Sequence, residues 1–335
     1  MKATTTRLAA AFGQRRAFAS SAPRLASYGF IGLGQMGYQM AKNLQSKLRP
    51  ADKLAVFDIN PDALAALEAD VKASSAAGGA SLEIAASAFD ASKDADTVVT
   101  VLPEPQHVKA VYSSILTDAL PRKDRVFIDT STIDPSTSRQ VARSVADAAQ
   151  GAFVDAPMSG GVVGATAGTL TFMLGSDLAL VPRAEPVLLL MGRKVLHCGP
   201  QGAGLSAKLA NNYLLALNNI ATAEAMNLGV RWGLDPKALA AVLNVSTGRC
   251  WPSEVNNPVK GVVDSAPAAR DYRGGFGISL MSKDLRLAMV AAREAGANMA
   301  LGDSALAVYQ AAEKRDDCKG RDFSVVYRYL GGKEE

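Results

Sequence analysis

The hexapeptide Gly32-Leu33-Gly34-Gln35-Met36-Gly37 follows an apolar run that starts at Tyr28 and opens a helical pattern striped by Met36, Met40, Leu44 and Leu48. Three glycines between a strand and a helix confine that stretch to a tight βα turn. The turn in turn confines its surroundings to a βαβ unit of a parallel sheet. Gly32 permits the turn, Gly34 lets backbone approach a pyrophosphate, and Gly37 lets the helix pack closely on the strand, while the helix N-terminus faces the negative charge. The spacing predicts a dinucleotide cofactor held by residues 32–37, against the plainer reading of a glycine turn.

The chain as far as residue 200 agrees with that start. Residues 28–33, 54–57, 97–102, 126–128 and 152–155 read as strands, because each run is short, apolar and followed by Gly, Pro, Asp or Ser, with helical segments between them. Such alternation implies an α/β, Rossmann-type unit over 28–200, with a mostly parallel sheet and helices on both faces. Residues 169–174 and 194–198 extend the sheet around a helix at 178–190, and the stretch 72–81, rich in Ala, Ser and Gly, reads as a surface loop. After Gly199-Pro200-Gln201-Gly202 the strand signals stop. Residues 203–232 predict one helix about 45 Å long, at about 1.5 Å per residue, apolar around its circumference and therefore expected to be buried by other helices. Asp235-Pro236 supplies an N-cap and first-turn proline for a helix at 236–244, and further helices follow at 280–295, 301–314 and 322–330. Residues 201–335 are expected to form an all-α substrate and oligomerisation domain, linked by the long buried helix and assembling as a homodimer or homotetramer.

Charge excludes more than it suggests. The net charge of +4 rests on Lys2, Arg7, Arg15, Arg16 and Arg24, which no acid accompanies before Asp52, and the chain beyond residue 27 carries about −1. No nucleic-acid surface is indicated. Residues 1–27, basic and rich in Ser, Thr and Ala, have the composition of a mitochondrial transit peptide, which predicts a place in the matrix. Cys198, Cys250 and Cys318 are widely spaced and there are two histidines, so no metal centre is expected, and no apolar run is long enough to span a bilayer.

Three further groups carry chemistry. Asp58 ends the second strand 21 residues after Gly37, where a carboxylate accepts hydrogen bonds from the adenosine ribose and repels a 2′-phosphate, favouring NAD; the same residue also suits the turn into Pro61. Ser159, Gly160 and Gly161, in Asp155-Ala-Pro-Met-Ser-Gly-Gly161, lie beyond a strand end and offer backbone N–H groups and a hydroxyl to an anion such as a substrate carboxylate, although an isolated loop of this kind is as often a structural turn. Lys208 and Asn212 are four residues apart, on one face of the long helix. A lysine there either snorkels to water or, if buried, pairs with a charge or shifts its pKa and becomes a proton carrier near neutrality.

Residues 29–37, Asp155 to Gly161, Lys208 to Asn212 and Phe276-Gly-Ile-Ser-Leu-Met-Ser-Lys283-Asp284 occur in that order, and together they resemble the β-hydroxyacid dehydrogenases. The resemblance covers nearly everything after Ser27 and is strengthened by Ser246 to Trp251 and by Gly274-Gly-Phe276. It implies NAD-dependent oxidation of a small hydroxy acid, 3-hydroxyisobutyrate to methylmalonate semialdehyde, as in valine breakdown. It also implies Lys208 as the catalytic residue, Ser159, Gly160, Gly161 and Asn212 on substrate, and Leu102, Pro103, Thr132 and Lys283 on the cofactor. His107 stands where the family often has a cofactor-binding asparagine, and an exposed loop histidine fits it equally well. Lys283 and Asp284 also read as a helix-surface pair, and Trp251 and Phe276 as either core or pocket wall. A sister enzyme reducing tartronate or succinic semialdehyde would use the same motifs. A noncatalytic dinucleotide-binding module would have no use for Lys208, Asn212 and Ser159 together.

Overall fold

The structure is a computed structural model that describes residues 25–74, 78–117 and 120–334. The expected transit peptide therefore lies almost entirely outside the described residues.

Among the described residues nine strands form one sheet in the order β3 (Ser81–Ile84), β2 (Lys53–Phe57), β1 (Ser27–Ile31), β4 (Thr97–Thr100), β5 (Val126–Asp129), β6 (Ala152–Asp155), β8 (Leu170–Gly175) and β7 (Met158–Ser159), with β9 (Gly192–Gly199) also paired to β8. The first six are parallel. The order reverses between β1 and β4, which opens a crevice at their carboxyl ends, where ligands of such sheets bind. Beyond β6 the sheet departs from the expected parallel run, because β8 is antiparallel to β6 and β7 while β9 is parallel to β8.

Helices cover both faces because the strands are apolar on both. On one side α1 (Gln35–Lys47), α2 (Pro61–Ala73), α6 (Gly161–Ala167) and α7 (Val181–Leu189) bury Met40, Leu44, Leu67, Ala165 and Leu188. On the other, α3 (Ala88–Lys93), α4 (Pro105–Leu116) and α5 (Pro135–Asp147) bury Ala91, Tyr112, Ile115 and Val145. The stretch expected to be a loop at 72–81 differs at both ends: α2 continues to Ala73, and Ser81 opens the edge strand β3. That strand alternates polar with apolar residues and is exposed, as an edge strand tolerates, so it lacks the apolar run that marked the others. The helix expected at 178–190 begins as a 3-10 turn, and that at 322–330 as 3-10 followed by α13 (Val326–Tyr329).

The helical half is built on α8 (Ala203–Arg231), with α9 (Pro236–Val245), α10 (Trp251–Glu254), α11 (Ile278–Glu294), α12 (Gly302–Glu313) and α13 against it. Asp235 caps α9 as its sequence requires, accepting from Ala238 N at 2.9 Å. One expectation is corrected here. The long helix is buried along one stripe, Leu205, Lys208, Leu209, Asn212, Ala216, Asn219, Ala223 and Met226, and not all round. Leu214 and Leu228 stand exposed on it, as does Trp232 just beyond its end, because the helices of one chain cover one side of the rod.

Candidate active site

The glycine turn has the steric demands that its sequence implies. A Cβ on Gly32, whose φ is +102°, would lie 2.2 Å from Val101 O, and one on Gly37 would lie 2.0 Å from Gly32 O; at Gly34 nothing stands within 4 Å. Gly34 is also the N-cap of α1, with no side-chain cap and no acid in the first turn, so the positive end of the helix is open to an anion. Asp58 sits beside it, accepting from Leu33 N at 2.5 Å and Asn60 N at 2.7 Å. Its carboxylate thus serves the local turn and ties β2 to the fingerprint at once. These features fit a dinucleotide: a backbone cradle, an open glycine, and a carboxylate at the ribose position. Leu33 contributes through its backbone, for its side chain is in the core; Gln35 is exposed and Met36 half-buried.

Across the crevice, α11 reaches back to the sheet. Lys283 Nζ donates to Pro103 O at 3.1 Å and to Thr132 O at 3.0 Å, joining three residues that sequence alone could assign only by resemblance. Leu102 N donates to Ser131 Oγ at 2.8 Å, which in turn donates to the buried Asp129 at 2.6 Å, so both loops are fixed from below. His107 lies exposed on the first turn of α4. The helix-surface reading of Lys283 and Asp284 fails, since their side chains are 12% and 4% exposed and 3.6 Å apart.

Asp284 is the site residue that sequence reasoning did not assign. Its Oδ2 accepts from Asn212 Nδ2 at 2.6 Å, fixing the amide of the α8 residue one turn beyond Lys208. Lys208 is 8% exposed. Burial holds its pKa below the ordinary lysine value, the charge of Lys283 acts the same way, and Asp284 opposes them. A buried amine under the opposing influence of a carboxylate and a second cation has a proton affinity set by its surroundings and not by water.

On the sheet side, Ser159 ends β7, and Gly160 and Gly161, at φ +133° and +61°, swing the chain into α6. A side chain at Gly161 would meet nothing within 4 Å, so space lies open beside these amides. The helix α6 is a finding of the structure: its Gly- and Ala-rich residues have no apolar stripe to announce them. Asn43 of α1 donates to Ala165 O at 2.8 Å, bringing the loop alongside the fingerprint helix. Trp251 and Phe276 flank Phe323, one stacked at 6.5 Å and the other edge-on at 6.0 Å. Phe276 is partly buried against the helical core, while Trp251 is 49% exposed.

An open sheet with a backbone cradle at its switch point, joined to a helical domain that presents a buried lysine, is the arrangement of a dinucleotide-binding protein with a second, helical domain. Residues 27–199 match the profile described as the NAD binding domain of 6-phosphogluconate dehydrogenase, and residues 202–330 the one described as NAD-binding of NADP-dependent 3-hydroxyisobutyrate dehydrogenase. The chain is 44% identical over 305 residues to a probable mitochondrial 3-hydroxyisobutyrate dehydrogenase of Dictyostelium discoideum, covering 90% of each. It is 43% identical to an NAD-dependent L-serine dehydrogenase of Pseudomonas aeruginosa, covering 89% of this chain and 96% of that one. A solved 3-hydroxyisobutyrate dehydrogenase of Mycobacterium tuberculosis with L-serine superimposes with a TM-score of 0.82 at 38% identity, over 91% of this chain and 99% of that one. The chain belongs to the 3-hydroxyisobutyrate dehydrogenase family of β-hydroxyacid dehydrogenases.

Proposed function

We propose that the protein oxidises 3-hydroxyisobutyrate to methylmalonate semialdehyde in valine breakdown, with Lys208 as general base. The observation that carries this reading is the burial of Lys208, which lowers its proton affinity, one helical turn before Asn212, whose amide Asp284 holds. Residues 28–200 form the dinucleotide domain and 201–335 the substrate and oligomerisation domain. When bound, NAD supplies the acceptor for the carbinol hydride. The chain supplies the rest. Ser159 Oγ and the amides of Gly160 and Gly161 hold the substrate carboxylate, and charge-assisted bonds of this kind contribute roughly 1.5 to 3 kcal/mol. Asn212, held through one N–H by Asp284, directs its second N–H to the hydroxyl. Neutral Lys208 then takes the hydroxyl proton on Nζ as the carbonyl forms. Asp58 favours NAD, and Leu102, Pro103, Thr132 and Lys283 form the wall on which the cofactor lies; His107, exposed on the first turn of α4, is the remaining candidate cofactor contact.

A second reading deserves the same assay, because one relative is named for L-serine. Serine and 3-hydroxyisobutyrate share a hydroxymethyl group on the carbon that bears the carboxylate and differ in an ammonium against a methyl. The half-exposed Trp251, stacked on Phe323, is the aromatic surface offered to the methyl. A panel of 3-hydroxyisobutyrate and L-serine oxidised with NAD or NADP, and of tartronate semialdehyde and succinic semialdehyde reduced with NADH or NADPH, followed by absorbance of the reduced cofactor, tests the assignment. The highest kcat/KM is expected for 3-hydroxyisobutyrate with NAD, and a higher value for serine would replace it.

Matrix residence is proposed from the composition of residues 1–27 and from the mitochondrial naming of relatives. N-terminal sequencing of the native protein checks it, an intact Met1 on the active form counting against it. Homodimer or homotetramer assembly is proposed from the exposed Leu214, Leu228, Trp232, Val242 and Val245, and a monomeric mass in solution would refute it.

A further inference from the structure

The catalytic helix and the anion loop belong to different halves of the chain, and one buried carboxylate joins them. Asp155 is fully buried at the end of β6; its Oδ1 accepts from Gly202 N at 2.6 Å and its Oδ2 from Leu205 N at 2.9 Å. Gly202, the N-cap of α8, has no side-chain cap of its own, so the cap of this 29-residue helix comes from 47 residues upstream. Two glycines make room for it. A Cβ on Gly175 would lie 2.3 Å from Asp155 Oδ1, and one on Gly204 would lie 2.0 Å from Met173 O and 2.9 Å from Asp155 Oδ2. The helix is thereby pressed against β8, the strand that also pairs with Met158 and Ser159 of β7.

We propose that Asp155 is a positioning residue of the reaction: by clamping the first turn of α8 onto the sheet four residues before Ser159, it sets where Lys208 stands relative to the substrate carboxylate. Leu205, held by the clamp, is three residues before Lys208, so the two are one turn apart on the same face of the helix. The charged and titratable groups nearby are Asp129 on β5, whose charge raises the Asp155 pKa, Cys198 on β9, and Arg139 of α5 beside Gly202. Burial pushes Asp155 up to about 6 while the two helix amides oppose that rise. The clamp is therefore ionised above about pH 6, where its two bonds to the helix amides hold.

The inference rests on Lys208 as base, and its test uses Asp155→Asn in the full chain. The amide leaves one helix N–H facing an NH2 group, which frees the first turn and admits water to Lys208. Expected are a kcat at least tenfold lower, an NAD dissociation constant within twofold of the parent, and a basic limb of the rate profile moved upward by half a pH unit or more. A variant that keeps kcat within twofold and leaves the limb in place, whatever its melting temperature, makes Asp155 a structural cap and overturns the proposal. Should that variant not fold, Gly204→Ala carries the test, because it retains the carboxylate yet lifts the helix from Met173 O; the same two changes are expected, and their absence overturns the proposal equally. Failure of the base reading would show separately, as activity retained by Lys208→Met.

Discussion

Lys208→Met is expected to lower kcat by about 10²- to 10⁴-fold, the usual contribution of general acid–base catalysis, with a smaller change in KM. Methionine keeps most of the apolar stem and removes the titrating amine, so the stripe of α8 packed on α11 remains filled and NAD still binds. In the parent the oxidation rate rises with pH as Lys208 loses its proton, on a limb centred below the ordinary lysine value because burial disfavours the ammonium. The sign is fixed by the direction of the shift: a lowered pKa enlarges the neutral, proton-accepting fraction at every pH beneath it. The variant should lack the limb. Steady-state profiles for the two proteins decide the matter, and a variant oxidising 3-hydroxyisobutyrate at the parental rate would leave Lys208 as a packed helix residue.

Gly34→Ala is expected to weaken NAD binding by about ten- to a hundredfold without lowering thermal stability. The added methyl meets nothing in the free protein, and φ at Gly34 is −60°, which alanine adopts freely. Its cost of roughly 1 to 3 kcal/mol falls on the complex, where the pyrophosphate must approach the backbone. Gly37→Ala should differ, destabilising the free protein as well, because its methyl would press on Gly32 O. Nucleotide titration by fluorescence and thermal melts of both variants provide the check. Parental affinity in Gly34→Ala would move the pyrophosphate away from this turn.

Much of the site was legible because its signals are local. The turn at Gly32 to Gly37, the bond of Asp58 to Asn60 N and the Asp235 cap of α9 are made within a few residues, so spacing reveals them. Strands buried on both faces announced themselves as apolar runs, whereas β3, polar and at the edge, did not. The partners of Asp155 and Asp284 lie 47 and 72 residues away, and no periodicity encodes a bond of that span. Asp284 in particular looked like half of a surface pair, since an adjacent lysine is the ordinary neighbour of a solvated aspartate. The extent of burial of α8 was misread for a related reason. Apolar composition records that a face avoids water, but not whether its own chain covers it.

The long helix also behaves as a lever with its fulcrum beside the chemistry. At about 1.5 Å per residue its 29 residues span roughly 43 Å, and Lys208 lies within about 8 Å of the Asp155 clamp. A tilt of about 5° around that clamp carries the far end, near Trp232, through nearly 4 Å but displaces Lys208 by about 0.7 Å. Small adjustments at the distal end, where the exposed Leu228 and Trp232 stand, therefore reach the proton-transfer geometry near the fulcrum reduced to a fraction of an ångström.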